Sequence, residues 1–73
     1  MMNRSVKQKL NSKINELNMN LANNYKDLAH AALKELDIMV EDMKTSGELK
    51  EKDYLKMRKL TDDYKTRLAN YHH

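Results

Sequence analysis

Two pairs of adjacent carboxylates, Glu41-Asp42 and Asp62-Asp63, and one internal histidine, His30, are the residues whose types could do acid–base or metal chemistry. Their spacing argues against both. Adjacent residues on a helix point about 100° apart, so neighbouring acids do not share a site as a glycosidase or protease dyad must. Asp27 precedes His30 by three residues and Lys34 follows by four. A metal centre needs at least three converging ligands, and no second histidine offers an i,i+4 partner. No metal and no cofactor is expected. The chain also has no cysteine, no Ser/His/Asp set that a helical hairpin could assemble, and no glycine-rich phosphate loop. The carboxylates read as a solvated face and the chain as a non-enzyme. His72-His73 are assigned no chemistry.

The cations are the other candidates. Lys50, Lys52, Lys56, Arg58, Lys59, Lys65 and Arg67 crowd the last third, and Arg4, Lys7, Lys9 and Lys13 the first. A nucleic-acid surface would gather them on one face. Here they spread around the helix and Asp62-Asp63 interrupts them, so a solvated or partner-facing surface is the expectation and nucleic-acid binding the alternative. The stretch Tyr64 to Tyr71 is the best candidate for a partner motif. It sets an apolar seam (Tyr64, Leu68, Tyr71) beside Lys65 and Arg67. The plainer reading of that seam is the end of a hairpin packing home.

The elements that must position these residues are helical. Val6, Leu10, Ile14, Leu17 and Leu21 recur at spacings of four, four, three and four, one face of a helix. The segment is rich in Asn, a weak helix former whose side chain competes for backbone groups. Leu33, Leu36, Val40 and Met43 mark a second stripe, which Ile38 and Met39 widen towards a further contact side. Ala31-Ala32 permits close helix approach. Tyr54, Met57, Thr61, Tyr64, Leu68 and Tyr71 form a heptad seam at three-four spacing. There is no proline and one glycine, Gly47, which reads as a left-handed helix stop. Leu49 and Tyr54 stand where a hydrophobic staple would, with Lys50 as a poor N-cap.

The fold class is therefore all-α: a helical hairpin, residues 1–73 as one domain, with a turn at Gly47 and a return helix over 50–71. Residues 5–45 are either one long helix or two helices meeting at a bend near Asn23-Asn24. A continuous helix would run roughly 60 Å and the return helix roughly 35 Å. The return helix would then cover only the middle of the chain. Val6, Leu10, Ile14, Leu17 and Leu21 would lack an intramolecular partner, which predicts a homodimer through that stripe.

Charge supports antiparallel packing. Residues 1–24 carry a net +3, residues 25–48 a net −3 and residues 49–73 a net +3. Exposed pairs contribute only about 0.2–1 kcal/mol each, so the pattern selects orientation more than it supplies stability. No apolar run approaches the roughly 20 residues that span a bilayer. No apolar segment follows the first cations as in a signal peptide. A soluble cytoplasmic protein with no membrane partner is the expectation.

A very small Asn/Lys-rich helical chain ending in Lys65, Arg67, Leu68 and Tyr71 resembles the phage-type internal scaffolding proteins that determine capsid size in staphylococcal pathogenicity islands. The resemblance covers about the last ten residues. It implies a helical dimer that binds the inner face of a capsid (coat) protein through a basic-apolar carboxyl-terminal segment and redirects assembly to a smaller shell, so the location would be cytoplasmic or inside an assembling capsid. Two other classes compete with it: a regulatory adaptor or inhibitor of a host protein, and a nucleic-acid-binding dimer.

Overall fold

The computed structural model describes residues 3–70, which form three helices and no strand. Helix α1 spans Arg4–Ala22, α2 spans Lys26–Thr45 and α3 spans Glu51–Ala69. Between the two forms open for residues 5–45, the structure takes two helices, and they are folded back on each other rather than merely bent.

The reversal is made by asparagine. Asn24 has φ +60, in the left-handed region that asparagine tolerates better than most residues. Its N–H donates to the Leu21 carbonyl at 3.2 Å and the Tyr25 N–H donates to Asn20 at 2.8 Å. This is the two-bond arrangement that satisfies the last carbonyls of a helix around a left-handed residue. Gly47, at φ +84, does the corresponding work after α2. Its N–H reaches the Lys44 carbonyl at 3.2 Å and that of Leu49 reaches Met43 at 3.1 Å. The expected stop at Gly47 is thus present, and Asn24 is a second one. At the start of α1, the Asn3 side chain accepts from the Ser5 N–H at 2.8 Å and caps the helix.

Helix α2 is the centre of the structure, with α1 and α3 packed on different flanks and each antiparallel to it. It contributes Ala29, Ala32, Leu33, Leu36, Val40 and Met43 to the core. Ala29 and Ala32 are fully buried and let a neighbouring backbone come close, whereas Ala31 faces solvent. Helix α3 adds Thr61, Tyr64 and Leu68, and the turn before it adds Leu49, with Tyr54 half-buried nearby as the staple geometry requires. Buried Thr61 remains satisfied because its hydroxyl donates to the Arg58 carbonyl at 2.9 Å. Helices α1 and α3 meet over α2 through one side-chain bridge, the Tyr64 hydroxyl donating to Asn18 Oδ1 at 2.7 Å.

The amino-terminal stripe is corrected by this arrangement. Val6, Leu10 and Leu17 are buried inside the chain, and Ile14 and Leu21 pack against the same core half-exposed. The stripe needs no second copy, because the reversal at Asn24 lays α1 along α2. The homodimer face expected at Val6, Leu10, Ile14, Leu17 and Leu21 is instead the α1 side of the intramolecular core.

Both stops can be tested by thermal melting. Asn24→Val and Gly47→Ala should each destabilise the fold by about 1–2 kcal/mol, since both force a side chain with a Cβ that disfavours positive φ into the left-handed region. At this chain length that is a fall of at least about 4 °C in the melting temperature. If Asn24→Val melts like the parent, asparagine is not what reverses the chain.

Candidate functional site

The polar surface is organised by which cations α2 holds. Arg58 donates to Asp37 Oδ1 at 2.5 Å and to Glu41 Oε2 at 3.3 Å, and lies 3.8 Å from Asp62 one turn along α3. The Tyr54 hydroxyl donates to the same Glu41 oxygen at 2.8 Å. Lys65 reaches Asp37 Oδ2 at 3.3 Å. On the other flank of α2, Lys13 of α1 bridges Glu35 at 2.6 Å and Glu16 at 3.2 Å. The acidic middle segment therefore binds a basic helix on each side.

These contacts raise three proton affinities. Lys13 is held above its ordinary value by its hydrogen bonds to Glu35 and then Glu16, against partial desolvation. Burial pulls Arg58 down, but the charges of Asp37 and Asp62, with Tyr54 and Glu41, outweigh it and the group is raised. Tyr54 is raised by donating to Glu41. All three are protonated more firmly in the folded than in the unfolded chain.

The residues expected to bind a partner are not brought together as one seam. Tyr64 and Leu68 are 7% and 2% exposed and belong to the core, so the plainer reading of that seam holds for both. Lys65 is paired with Asp37. Arg67 is exposed, its guanidinium 5.2 Å from the centre of the Tyr64 ring. Tyr71 lies outside the described residues, as do His72-His73. What survives as accessible surface at this end of α3 is Arg67 with the outer side of Lys65.

Elsewhere on α3, Lys52, Lys56 and Lys59 are exposed, and none has a carboxylate within 4.0 Å among the described residues. They follow one another at spacings of four and three, the outward side of the helix. Leu55, 59% exposed, lies beside them. Across the molecule, an open groove of about 400 Å³ runs between α1, α2 and the turn after α2. Its apolar floor is Ile38, Met39 and Met43, and its rim carries Glu35, Asp42 and Glu48 against Lys9. Ile38 is 52% exposed. The sequence marks Ile38 and Met39 as widening the α2 stripe, which is the signal for this groove. Leu55 carries no periodic signal, because it stands alone off the heptad seam.

Among the described residues no group of three or more His, Cys, Asp or Glu is placed to hold a metal ion, and none of their helices is long and apolar enough to cross a membrane. His30 is exposed on α2.

The ion pairs predict an alkaline limit. Because the folded chain holds these protons more tightly, its stability should fall as pH rises past the ordinary tyrosine and lysine values of 10.0 and 10.5. Melting across that range should show the fall, and Glu35→Gln with Glu41→Gln should flatten it. Asp37→Asn, which releases Lys65 and leaves Arg58 to Glu41 and Asp62, should cost about 1 kcal/mol at low salt and less at high salt. A salt-independent loss would mean that Asp37 acts through packing.

Comparison with family models, curated proteins and solved structures finds no match to this chain.

Proposed function

We propose that this chain is a non-enzymatic association module, and in its most specific form an assembly scaffold that joins coat-protein subunits. The observation that carries the reading is the division of the α3 cations. Arg58 and Lys65 are tied to α2, while Arg67, Lys52, Lys56 and Lys59 project outward from a helix fixed by its own core. A rigid helix presenting unpaired cations suits an acidic protein surface. It gives contacts that form quickly and remain weak, as a scaffold that must later be released requires.

On this reading the partner contact is made by Arg67; Lys65, two residues back, is on the α2 side held by Asp37, and Tyr71 lies beyond the described residues. Arg67 is preorganised over the Tyr64 ring, so less side-chain freedom is lost on binding. Tyr64 and Leu68 support that platform from inside instead of touching the partner. Two such chains held together would join two weak contacts into one bivalent link and fix the angle between the subunits they grip. That angle is what would set shell curvature.

The test is a photoreactive side chain at exposed Asn70, three residues on from Arg67 and on its side of the helix, in the chain produced in its own cell. The expected crosslink is to a capsid coat protein, reduced roughly tenfold by Arg67→Glu with helicity retained. Crosslinking to nucleic acid, or to a host enzyme, would replace the scaffold reading with one of the two competing classes. Leu68→Ala is not a binding probe: as a core truncation it should cost about 2–5 kcal/mol and unfold much of the population.

A further inference from the structure

We infer that the acidic-rimmed groove beside α2 is the docking site for the outward stripe of α3 from a second copy of this chain. The two surfaces are complementary in both chemistry and sign. The groove presents half-exposed Ile38 over Met39, with Asp42, Glu48 and Glu35 around it and Lys9 as the one cation of its lining. The stripe presents Leu55, 59% exposed, with Lys52, Lys56 and Lys59 on one flank, where Asp63 closes the far end, and Glu51 and Asp62 on the other. Asp62 is already engaged by Arg58. Glu35 is likewise engaged, by Lys13, so one exposed aliphatic and three cations face one exposed aliphatic and two carboxylates, Asp42 and Glu48, that no described cation holds.

A chain cannot fill its own groove. Helix α3 is fixed to the flank of α2 that carries Asp37 and Glu41, whereas the groove opens on the flank that carries Glu35, where α1 lies. The stripe also faces away from α2, since Tyr54, Thr61, Tyr64 and Leu68 take the inward side of α3. The occupant must come from another molecule, and the chain itself supplies a fitting one. A two-fold axis would seat the stripe of each copy in the groove of the other and use all four surfaces at once.

This interface rests on the association reading above and names the surface that would make the module bivalent. It leaves Arg67 free, so two copies would present two partner contacts. Apolar contact at Leu55 and Ile38 is small, so the pair is weak and its strength depends on charge. Affinity should fall roughly tenfold or more between low and high salt.

Sedimentation equilibrium on the full chain tests this. The weight-average mass should climb from 8.7 kDa towards twice that value as concentration rises, and salt should reverse the climb. The double variant Lys52→Glu, Lys59→Glu and the double variant Asp42→Lys, Glu48→Lys should each remain at 8.7 kDa with helicity intact. Mixed in equal amounts they should associate, because each then meets a surface of opposite sign in both grooves. If either double variant loses helicity, Leu55→Gln and Ile38→Gln replace the pair and should each shift association to higher concentration; an unshifted curve in both overturns the inference. A parent chain that stays at 8.7 kDa up to roughly 1 mM overturns the inference. So does association that survives the reversals, or a mixture that fails to restore it. A monomer that instead binds a basic amphipathic peptide in the groove also overturns it, in favour of a foreign partner. The crosslink from Asn70 reads the coat-protein contact separately, so loss of one result leaves the other standing.

Discussion

The fold depends on a single asparagine held at positive φ. Without a reversal at Asn24, α1 would continue the line of α2 and carry Val6, Leu10 and Leu17 into water. With it, the two helices lie side by side and those three side chains become core. Fully burying an aliphatic side chain is worth about 1.5–3 kcal/mol, and holding a left-handed conformation in a residue with a Cβ costs about 1–2 kcal/mol. The gain from three aliphatics exceeds that cost, and asparagine keeps the cost near its lower end. A chain of this size thereby obtains a three-helix core without a disulfide.

This explains what could and could not be read in the sequence. All three apolar stripes were legible, because helical spacing is a strong signal, and Gly47 was legible because glycine is the usual left-handed residue. The staple at Leu49 and Tyr54 followed from the same boundary. Asn24 was ambiguous. An asparagine inside an Asn-rich segment reads as weak helix, and whether the chain bends or reverses there depends on tertiary gain that no local pattern shows. From that ambiguity came the expectation of an unpaired α1 stripe. The partner seam failed for a related reason. Tyr64 and Leu68 sit at core spacing, and a seam that can bind a partner is also a seam that can pack home. Only the exposed residues between its rungs, such as Arg67, remain available.

Charge carried more of the tertiary structure than its energies imply. The basic, acidic and basic thirds fix both flanks of α2, through Lys13 to Glu35 on one side and through Arg58 and Lys65 to Asp37 on the other. Each pair is partly exposed and modest in strength. Their value is in selection: swapped or parallel arrangements would set cations against cations, and like charges across a seam are penalised. The two outer helices are basic because the central one is acidic. That same bias leaves surplus cations on the outside of α3 once the inner ones are engaged.

The surplus bears directly on how a small module can be specific. Its carboxylates are not distributed evenly: Asp37 and Glu41 are consumed by α3, while Asp42 and Glu48 face the groove unpaired by any described cation. A monomer designed only for solubility would intersperse both signs around an exposed Ile38 and an exposed Leu55. Here Lys52 and Lys59 stand one turn from Leu55, with Glu51 and Asp62 on its other flank, while Glu35 and Asp42 stand one turn from Ile38. In the proposed pairing, the same residues that keep the surface hydrated would also set the register between two copies. An interface built on one aliphatic contact per side would have little affinity alone. With charge choosing the geometry, the proposed interface would be both weak and directed, as the association reading requires.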